Sequence, residues 1–485
     1  MQKVLFATSE AHPLAKTGGL GEVCGALPLA LQQCGHDVRV ILPGYRTVLE
    51  QCRNLRVLAQ LAIPGSLEPV RILETRLGET TVPALIVDAP GMFDRAGGLY
   101  ADVDGRDFAD NANRFTVYCR AVVELAMDRG GLYWQPDVVH CHDWQTGLVP
   151  ALLAREPLRP GTVFTIHNIA YAGSFDRERF DTLQLPADLY APESMEFYGR
   201  FAFIKGGLVY ADLITTVSPT YAREIQTPEK GCGLDGLLRG RSRDLVGIIN
   251  GVNYALWDPA NDPIIAERYD AGMLENKHSN RRAIQRDLGL REDDEALLIG
   301  VVSRLAHQKG MDLLPAALEP LWAQGLQLAL LGSGDAQVQS EIERMCREHP
   351  GQCAAHFGYN DALAHRILAG ADAFLMPSRY EPCGLGQLYA QRYGTVPVVR
   401  RTGGLADTVV PVNAATLADG TATGVMYEDD GAEALSAAIL AAMYLRRAPA
   451  QWRRLQVAGM RREFGWGESA RAYVEVYRRA RVHRA

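Results

Sequence analysis

Six short stretches carry the residue types that bind and move charged groups. Lys16-Thr17-Gly18-Gly19-Leu20 follows the strand-like start of the chain. A helix opening there offers free backbone N–H groups and the positive end of its dipole, the glycines let an anion reach the backbone, and Lys16 adds a full charge. The stretch matches neither the Walker pattern nor G-x-G-x-x-G, so neither a P-loop ATPase nor a standard dinucleotide site is indicated. An ordinary strand-to-helix turn with an exposed lysine is the plain alternative. His140, His142 and Asp143 offer metal-ligand chemistry, but no third ligand follows at helical spacing. The group therefore reads as hydrogen-bonding partners for a hydroxyl-rich substrate rather than as a metal site. His167, beside Asn168 at the end of an apolar run, suits either a substrate contact or a satisfied buried histidine.

The second half of the chain holds the stronger anion chemistry. Ser303-Arg304 and His307-Gln308-Lys309-Gly310 place two fixed cations within six residues. Arginine forks onto phosphate oxygens while lysine acts as a point charge, the combination a departing pyrophosphate needs; a solvated basic loop is the alternative. Leu331-Gly332-Ser333-Gly334-Asp335 is a further tight turn. In Pro377-Ser378-Arg379-Tyr380-Glu381-Pro382-Cys383-Gly384-Leu385-Gly386, a carboxylate precedes a glycine-rich helix start. A double displacement of the glycosidase type wants two carboxylates about 5 Å apart, and none follows Glu381 until past residue 400. The expected chemistry is transfer from an activated donor, with Glu381 orienting or stabilising a sugar. Nothing in the pattern raises Cys383 above a packing cysteine in a turn.

These stretches need a scaffold that brings them to one edge. Short β-branched runs ending in Gly, Asp, His, Asn or Ser alternate with helical segments, the rhythm of a parallel sheet. Strands are expected at 3–10, 37–43, 83–90, 137–143, 162–168, 212–218 and 245–251, then at 297–305, 326–335, 354–359, 373–378 and 396–404. Several are apolar on both faces, as strands covered by helices on both sides must be. Residues 253–280 are polar and turn-rich, which marks a boundary, and the fold class is α/β with two doubly wound domains in tandem. Ligands of such sheets gather at the carboxyl ends of the strands, where all six stretches fall. Thr17-Gly18-Gly19-Leu20 and Thr402-Gly403-Gly404-Leu405 form a weak internal repeat consistent with two like domains.

Composition narrows the partners. The 485 residues carry 50 Lys plus Arg against 57 Asp plus Glu, a net charge of -7, with no long basic run, so nucleic acid and anionic membrane are poor partners. Nine scattered cysteines show no C-x-x-C pair, and their odd number argues against a disulfide framework. No apolar run reaches the 18 or so residues of a membrane span. A reducing cytoplasm is the expected setting. The 47 glycines exceed the usual share of about 7%. Gly18, Gly19, Gly310, Gly332, Gly334, Gly384, Gly403 and Gly404 are expected at turns where a diphosphate approaches the backbone.

Taken in order, KTGGL, HCHDW, FTIHN, TVSPTYARE, NGV, SRL with QKG, LGSGD, PSRYEPCGL and RTGGLADTV closely resemble the bacterial glycogen synthases and plant starch synthases, from residue 9 to residue 409. The resemblance implies two Rossmann-like domains around a deep cleft (GT-B), with residues 1–252 on the acceptor-glucan side, 253–463 on the ADP-glucose side and 464–485 returning to the first domain. It implies transfer of glucose from ADP-glucose to the non-reducing end of an α-1,4-glucan, with retention and without a cofactor or metal. Lys16, Gly18 and Gly19 would meet donor sugar and phosphates, and Arg304 and Lys309 would hold the diphosphate. His167 would face the transferred glucose and Glu381 would be the carboxylate contacting it. Tyr359 would stack on adenine; the backbone at Gly334, Cys383, Gly384 and Leu385 would line the donor; Asp143 and Asn250 would lie near the reaction centre. Oligomeric state is not implied. Two departures stand out: Gly386 where familiar bacterial members have Thr, and Glu22 where they have Asp. A hydroxyl lost near the phosphates is worth about 0.5 to 1.5 kcal/mol, so altered donor affinity is expected. A UDP-glucose enzyme and a silent glucan-binding protein are the competing readings.

Overall fold

In the computed structural model, which describes residues 1–482, the apolar runs pair into two separate parallel-sheet units. Residues 483–485, the end of the expected returning segment, lie outside the described residues. The first unit is Met1–Gly251 together with the chain from Trp466 onward; the second is Val252–Gly465. The expected ends at 252 and 464 thus move by one and two residues. Val252 belongs with the second unit because its N–H donates to the Phe464 carbonyl (2.7 Å) and it forms a bridge with Gly465.

The first unit contains β1 (Lys3–Ala7), β2 (Asp37–Pro43), β3 (Arg56–Leu61), β4 (Val70–Arg76), β5 (Pro83–Asp88), β6 (Val138–His142), β7 (Gly161–Ile166), β8 (Ser174–Asp176), β9 (Glu196–Phe197), β10 (Arg200–Ala202), β11 (Leu213–Thr216) and β12 (Leu245–Gly247). Its main sheet runs β12-β11-β7-β6-β1-β2-β5-β4-β3, and β8, β10 and β9 make a small separate sheet. All pairings from β12 to β5 are parallel, whereas β4 and β3 are antiparallel additions at one edge. Val4, Leu5, Phe6 and Ala7 of β1 have no exposed surface, as a central strand covered on both faces requires. β3 lies at the sheet edge with only Leu61 of its six residues buried.

The second unit contains β13 (Leu297–Leu305), β14 (Leu326–Gly334), β15 (Cys353–Phe357), β16 (Ala373–Met376), β17 (Val396–Arg400) and β18 (Val425–Tyr427), in the all-parallel order β15-β14-β13-β16-β17-β18. In both sheets the chain starts at a central strand, builds to one side, then crosses to the other. The reversals fall between β1 and β6 and between β13 and β16, and such switch points open a crevice at the strand ends.

The helix Trp466–Val482 packs on the first unit. Its buried residues Ala470, Tyr473, Val476, Tyr477 and Ala480 follow the helical period. Gly251 admits its first turn, since a Cβ there would come within 2.5 Å of Trp466, and Ser469 Oγ donates to the Ile249 carbonyl (2.6 Å). Among the described residues no helix is long and apolar enough to cross a membrane.

Candidate active site

At the switch point of the second sheet, the loops after β13 and β16 are bound together. Lys309 Nζ donates to Glu381 Oε2 (2.6 Å), and Ser378 Oγ donates to the same oxygen (2.9 Å). The Arg379 N–H donates to the Gln308 carbonyl (2.9 Å), and the Arg379 guanidinium reaches the His307 carbonyl (2.7 Å) and both oxygens of Asp312 (2.7 and 2.9 Å). Arg379 is thus the clamp that sets Lys309 beside Glu381, a role its place in the motif did not reveal. Glu381 is buried, whereas Arg304 is exposed and donates to Gln308 Oε1 (3.2 Å). Tyr359 follows β15 with 79% of its surface exposed.

The turn after Glu381 is fixed from below. Gln387 Nε2 donates to the carbonyls of Cys383 and Gly384 and to Thr408 Oγ1, each at 3.0 Å. The carbonyls are consumed, while among the described residues no hydrogen bond takes the N–H of Gly384 or Leu385. Cys383 is buried, as a packing residue is. Gly386 lies under Phe374, where a Cβ would come within 2.8 Å of the ring. The absence of a threonine here is therefore tied to the packing of this chain, not only to donor affinity.

Close packing within the protein is a second reason for most of these glycines. A Cβ at Gly310 would overlap the Pro377 carbonyl, at Gly332 the Ser303 carbonyl, at Gly334 the Leu305 carbonyl, at Gly384 the Gln387 side chain, at Gly403 the Glu381 carbonyl and at Gly404 the Cys383 carbonyl. These glycines let the protein's own chain cross closely, and Gly403 and Gly404 prop up the Glu381 turn. At Gly18 and Gly19 a Cβ would meet nothing within 4 Å. Only in the first copy of the repeat does the missing side chain leave open space for a ligand. Gly19 is the first residue of the helix Gly19–Gln33. Gly19→Ala should therefore hold or raise stability, by up to about 1 kcal/mol from helix propensity, while lowering turnover; thermal unfolding and kinetics on the same sample test the split.

In the first unit the Lys16 turn hangs from Glu10, a residue that sequence reasoning missed. Glu10 is buried and accepts from the Thr17 N–H and Thr17 Oγ1 (2.6 Å each) and from Tyr100 OH (2.7 Å). Lys16 pairs with Glu22, which gives that departure a role: the carboxylate sits in the first turn of the helix and engages the lysine.

Across the β1–β6 switch point, His140 and His142 are wholly buried, and burial holds both imidazoles neutral, well below the usual value. His140 bonds Tyr477 OH (2.8 Å) and Thr165 Oγ1 (2.6 Å). It ties the C-terminal helix to the sheet and is not a substrate contact, contrary to the expectation. His142 Nδ1 pairs with His167 Nε2 (2.9 Å). Half-buried His167 is also shifted toward the neutral form by its surroundings. Cys24, His142 and His167 bring ligand-type atoms within 4.8 Å of one another, a trio invisible to sequence spacing. Burial pushes the Cys24 thiol well up, which opposes the thiolate a metal would need.

Asp143 adopts a left-handed backbone conformation (φ 54°) and accepts from the N–H groups of His167 (2.7 Å) and Asn168 (3.4 Å). It shapes the His167 loop, so it is a positioning residue. Burial raises its carboxyl to about 7 despite those two bonds, with Glu10 adding to the rise. Between about pH 4 and 7 the native chain holds a proton that the unfolded chain releases, so stability falls as pH rises through that window. Asp143→Asn keeps an acceptor and removes the buried charge. It should match the parent near pH 4 and exceed it at pH 8 by up to about 4 kcal/mol, as read from urea unfolding. Asn250 is also buried, with Oδ1 unpartnered among the described residues.

Residues 3–240 match the family described as starch synthase catalytic domain, and residues 280–454 match glycosyl transferases group 1. Glycogen synthase 2 of Nitrosococcus oceani is 51% identical over 98% of this chain and 97% of its own, and glycogen synthase 1 of Methylococcus capsulatus is 49% identical over 99% and 96%. The catalytic domain of starch synthase IV from Arabidopsis thaliana, solved with ADP and acarbose, superposes with a TM-score of 0.88 at 31% identity, covering 99% of each chain. With two Rossmann-like domains of the GT-B class and these matches along nearly its whole length, the chain belongs to the family of bacterial glycogen synthases and starch synthases.

Proposed function

We propose that this enzyme transfers glucose from ADP-glucose to the non-reducing end of an α-1,4-glucan, with retention of configuration and release of ADP. The observation that carries this reading is the Lys309–Glu381–Ser378 junction, a fixed cation and a buried carboxylate prepared at a sheet switch point. As the sugar–phosphate bond lengthens, positive character grows on the sugar and negative charge on the diphosphate. Arg304, Lys309 and the N–H groups of Gly384 and Leu385 are suited to the departing charge, and Glu381 to the sugar. In the first unit, neutral His167 offers a hydrogen bond to a sugar hydroxyl, and Lys16 beside Gly18 and Gly19 offers an anion contact.

The leaving phosphate can take the proton of the incoming 4-hydroxyl on the same face, so retention needs no second carboxylate. No metal or other cofactor is required, because the chain's own cations meet the developing charge. The Arabidopsis starch synthase IV domain, bound to ADP and acarbose, supports a nucleotide and a glucan-like ligand here.

Product release with glycogen as acceptor tests the reading. ADP-glucose should be turned over far faster than UDP-glucose. Preference for UDP-glucose, or glucan binding without any ADP release, would overturn it, and a glucosyl group trapped on Glu381 would overturn the single-face route.

A further inference from the structure

The helix Ala336–Glu348 ends in a turn that doubles back into β15. The His349 N–H donates to the Met345 carbonyl (3.1 Å), Gly351 takes a positive φ of 76°, and the Cys353 N–H returns to the His349 carbonyl (3.0 Å). The turn brings Cys346, in the last turn of the helix, against Cys353, the first residue of the strand. Their sulfurs lie 2.7 Å apart, and both thiols are free. Cys353 is buried in the apolar cluster with Leu328, Ile342 and Met345, whereas Cys346 is half-buried at the margin of that cluster, next in sequence to Arg347.

We propose that Cys346 and Cys353 form a reversible disulfide, a thiol-oxidation site apart from the glucosyl-transfer residues. The environment divides the labour. A hydrogen bond from Cys353 lowers the Cys346 thiol against the opposing effect of burial, and Arg347 adds to the lowering. The same bond and burial raise Cys353. Cys346 is the attacking sulfur and Cys353 the resolving one.

With hydrogen peroxide as oxidant, the Cys346 thiolate attacks one peroxide oxygen. The O–O bond breaks, hydroxide leaves and becomes water with the proton the Cys346 thiol had released, and Cys346 becomes a sulfenic acid. The Cys353 sulfur then attacks the Cys346 sulfur and displaces hydroxide, which takes the Cys353 proton and leaves as a second water. Two thiols and one peroxide give one disulfide and two waters. A small thiol reverses the bond by exchange.

The test treats the full-length protein with hydrogen peroxide, alkylates the remaining thiols and maps the peptides. Cleavage after Arg347 leaves the two halves joined only by the disulfide. The expected result is a Cys346–Cys353 cross-link that dithiothreitol releases, formed before exposed Cys34 or Cys232 is oxidised. In Cys353→Ser, Cys346 should stop at a sulfenic acid that dimedone traps; in Cys346→Ser, Cys353 should stay reduced. Oxidation of Cys34 and Cys232 with Cys346 and Cys353 still alkylated as free thiols would overturn the proposal. So would equal sulfenic-acid yields in the two serine variants. The parent map alone decides if either variant fails to fold.

Discussion

Replacing Lys309 or Glu381 with alanine is expected to lower kcat for glucose transfer by about 10²- to 10³-fold each, the usual cost of removing one group aimed at developing charge. The double variant should fall little below the weaker single, because the two side chains share one bond and act as a unit. Their environments predict different secondary effects. The Glu381 carboxylate is almost enclosed and accepts from Lys309 and Ser378 on one oxygen. Removing Lys309 leaves that carboxylate with Ser378 on that oxygen, so Lys309→Ala should also unfold at lower temperature. Glu381→Gln separates the roles, since its amide oxygen can still accept from both donors. It should keep the parent's unfolding temperature and still lose most of kcat. If Glu381→Gln turned over like the parent while Glu381→Ala merely unfolded earlier, the carboxylate would be structural and the assignment of Glu381 to the reacting sugar would fail.

The sequence placed Lys309 and Glu381 each in a loop after an apolar strand, but it did not reveal their direct pairing. Strands β13 and β16 are read from their apolar runs, and the doubly wound order makes them neighbours, so residues 72 positions apart meet. Elements read poorly where burial was partial: β3 is an exposed edge and β18 only three residues long. Partners distant in sequence were out of reach of spacing arguments. A carboxylate such as Glu10, in a polar turn, looks like any solvated acid until Tyr100 and Thr17 close around it. His140 lies in the middle of β6, two residues short of the strand end where a ligand contact is expected, and its partner Tyr477 lies 337 positions away. The two T-G-G-L copies are identical in sequence and different in use: one faces open space and the other presses on the Glu381 turn. Backbone proximity, not residue type, separates them. Cys346 and Cys353 looked like unpaired cysteines because a spacing of seven acquires meaning only once a helix, a turn and a strand fold it back.

Lys277→Met is expected to cost about 3 kcal/mol of stability, the low end of what unpairing buried charge and its partners costs. Lys277 opens the helix Lys277–Asp287 and is buried, and its ammonium faces oxygens from several other segments. It donates to the carbonyls of Leu368 (3.1 Å), Ala369 (2.8 Å) and Tyr393 (3.1 Å), and to Thr395 Oγ1 (2.8 Å) and Tyr269 OH (3.4 Å). Methionine matches its length but donates to none of them. Part of the loss is cushioned, because Tyr269 OH also donates to the Tyr393 carbonyl (2.8 Å) and Thr395 Oγ1 to that of Leu368 (2.5 Å). Burial meanwhile pulls the amine down to about 7, opposed by Asp372 and assisted by Arg281. An unfolded lysine titrates near 10.4. Between those values the unfolded chain binds a proton that the native chain has released, so parent stability should rise with pH across that window. The variant lacks this slope. Urea unfolding of both proteins at pH 7 and pH 9 should therefore show the gap between them widening at the higher pH. A gap of constant size would mean that the ring of oxygens keeps the ammonium charged in the folded state.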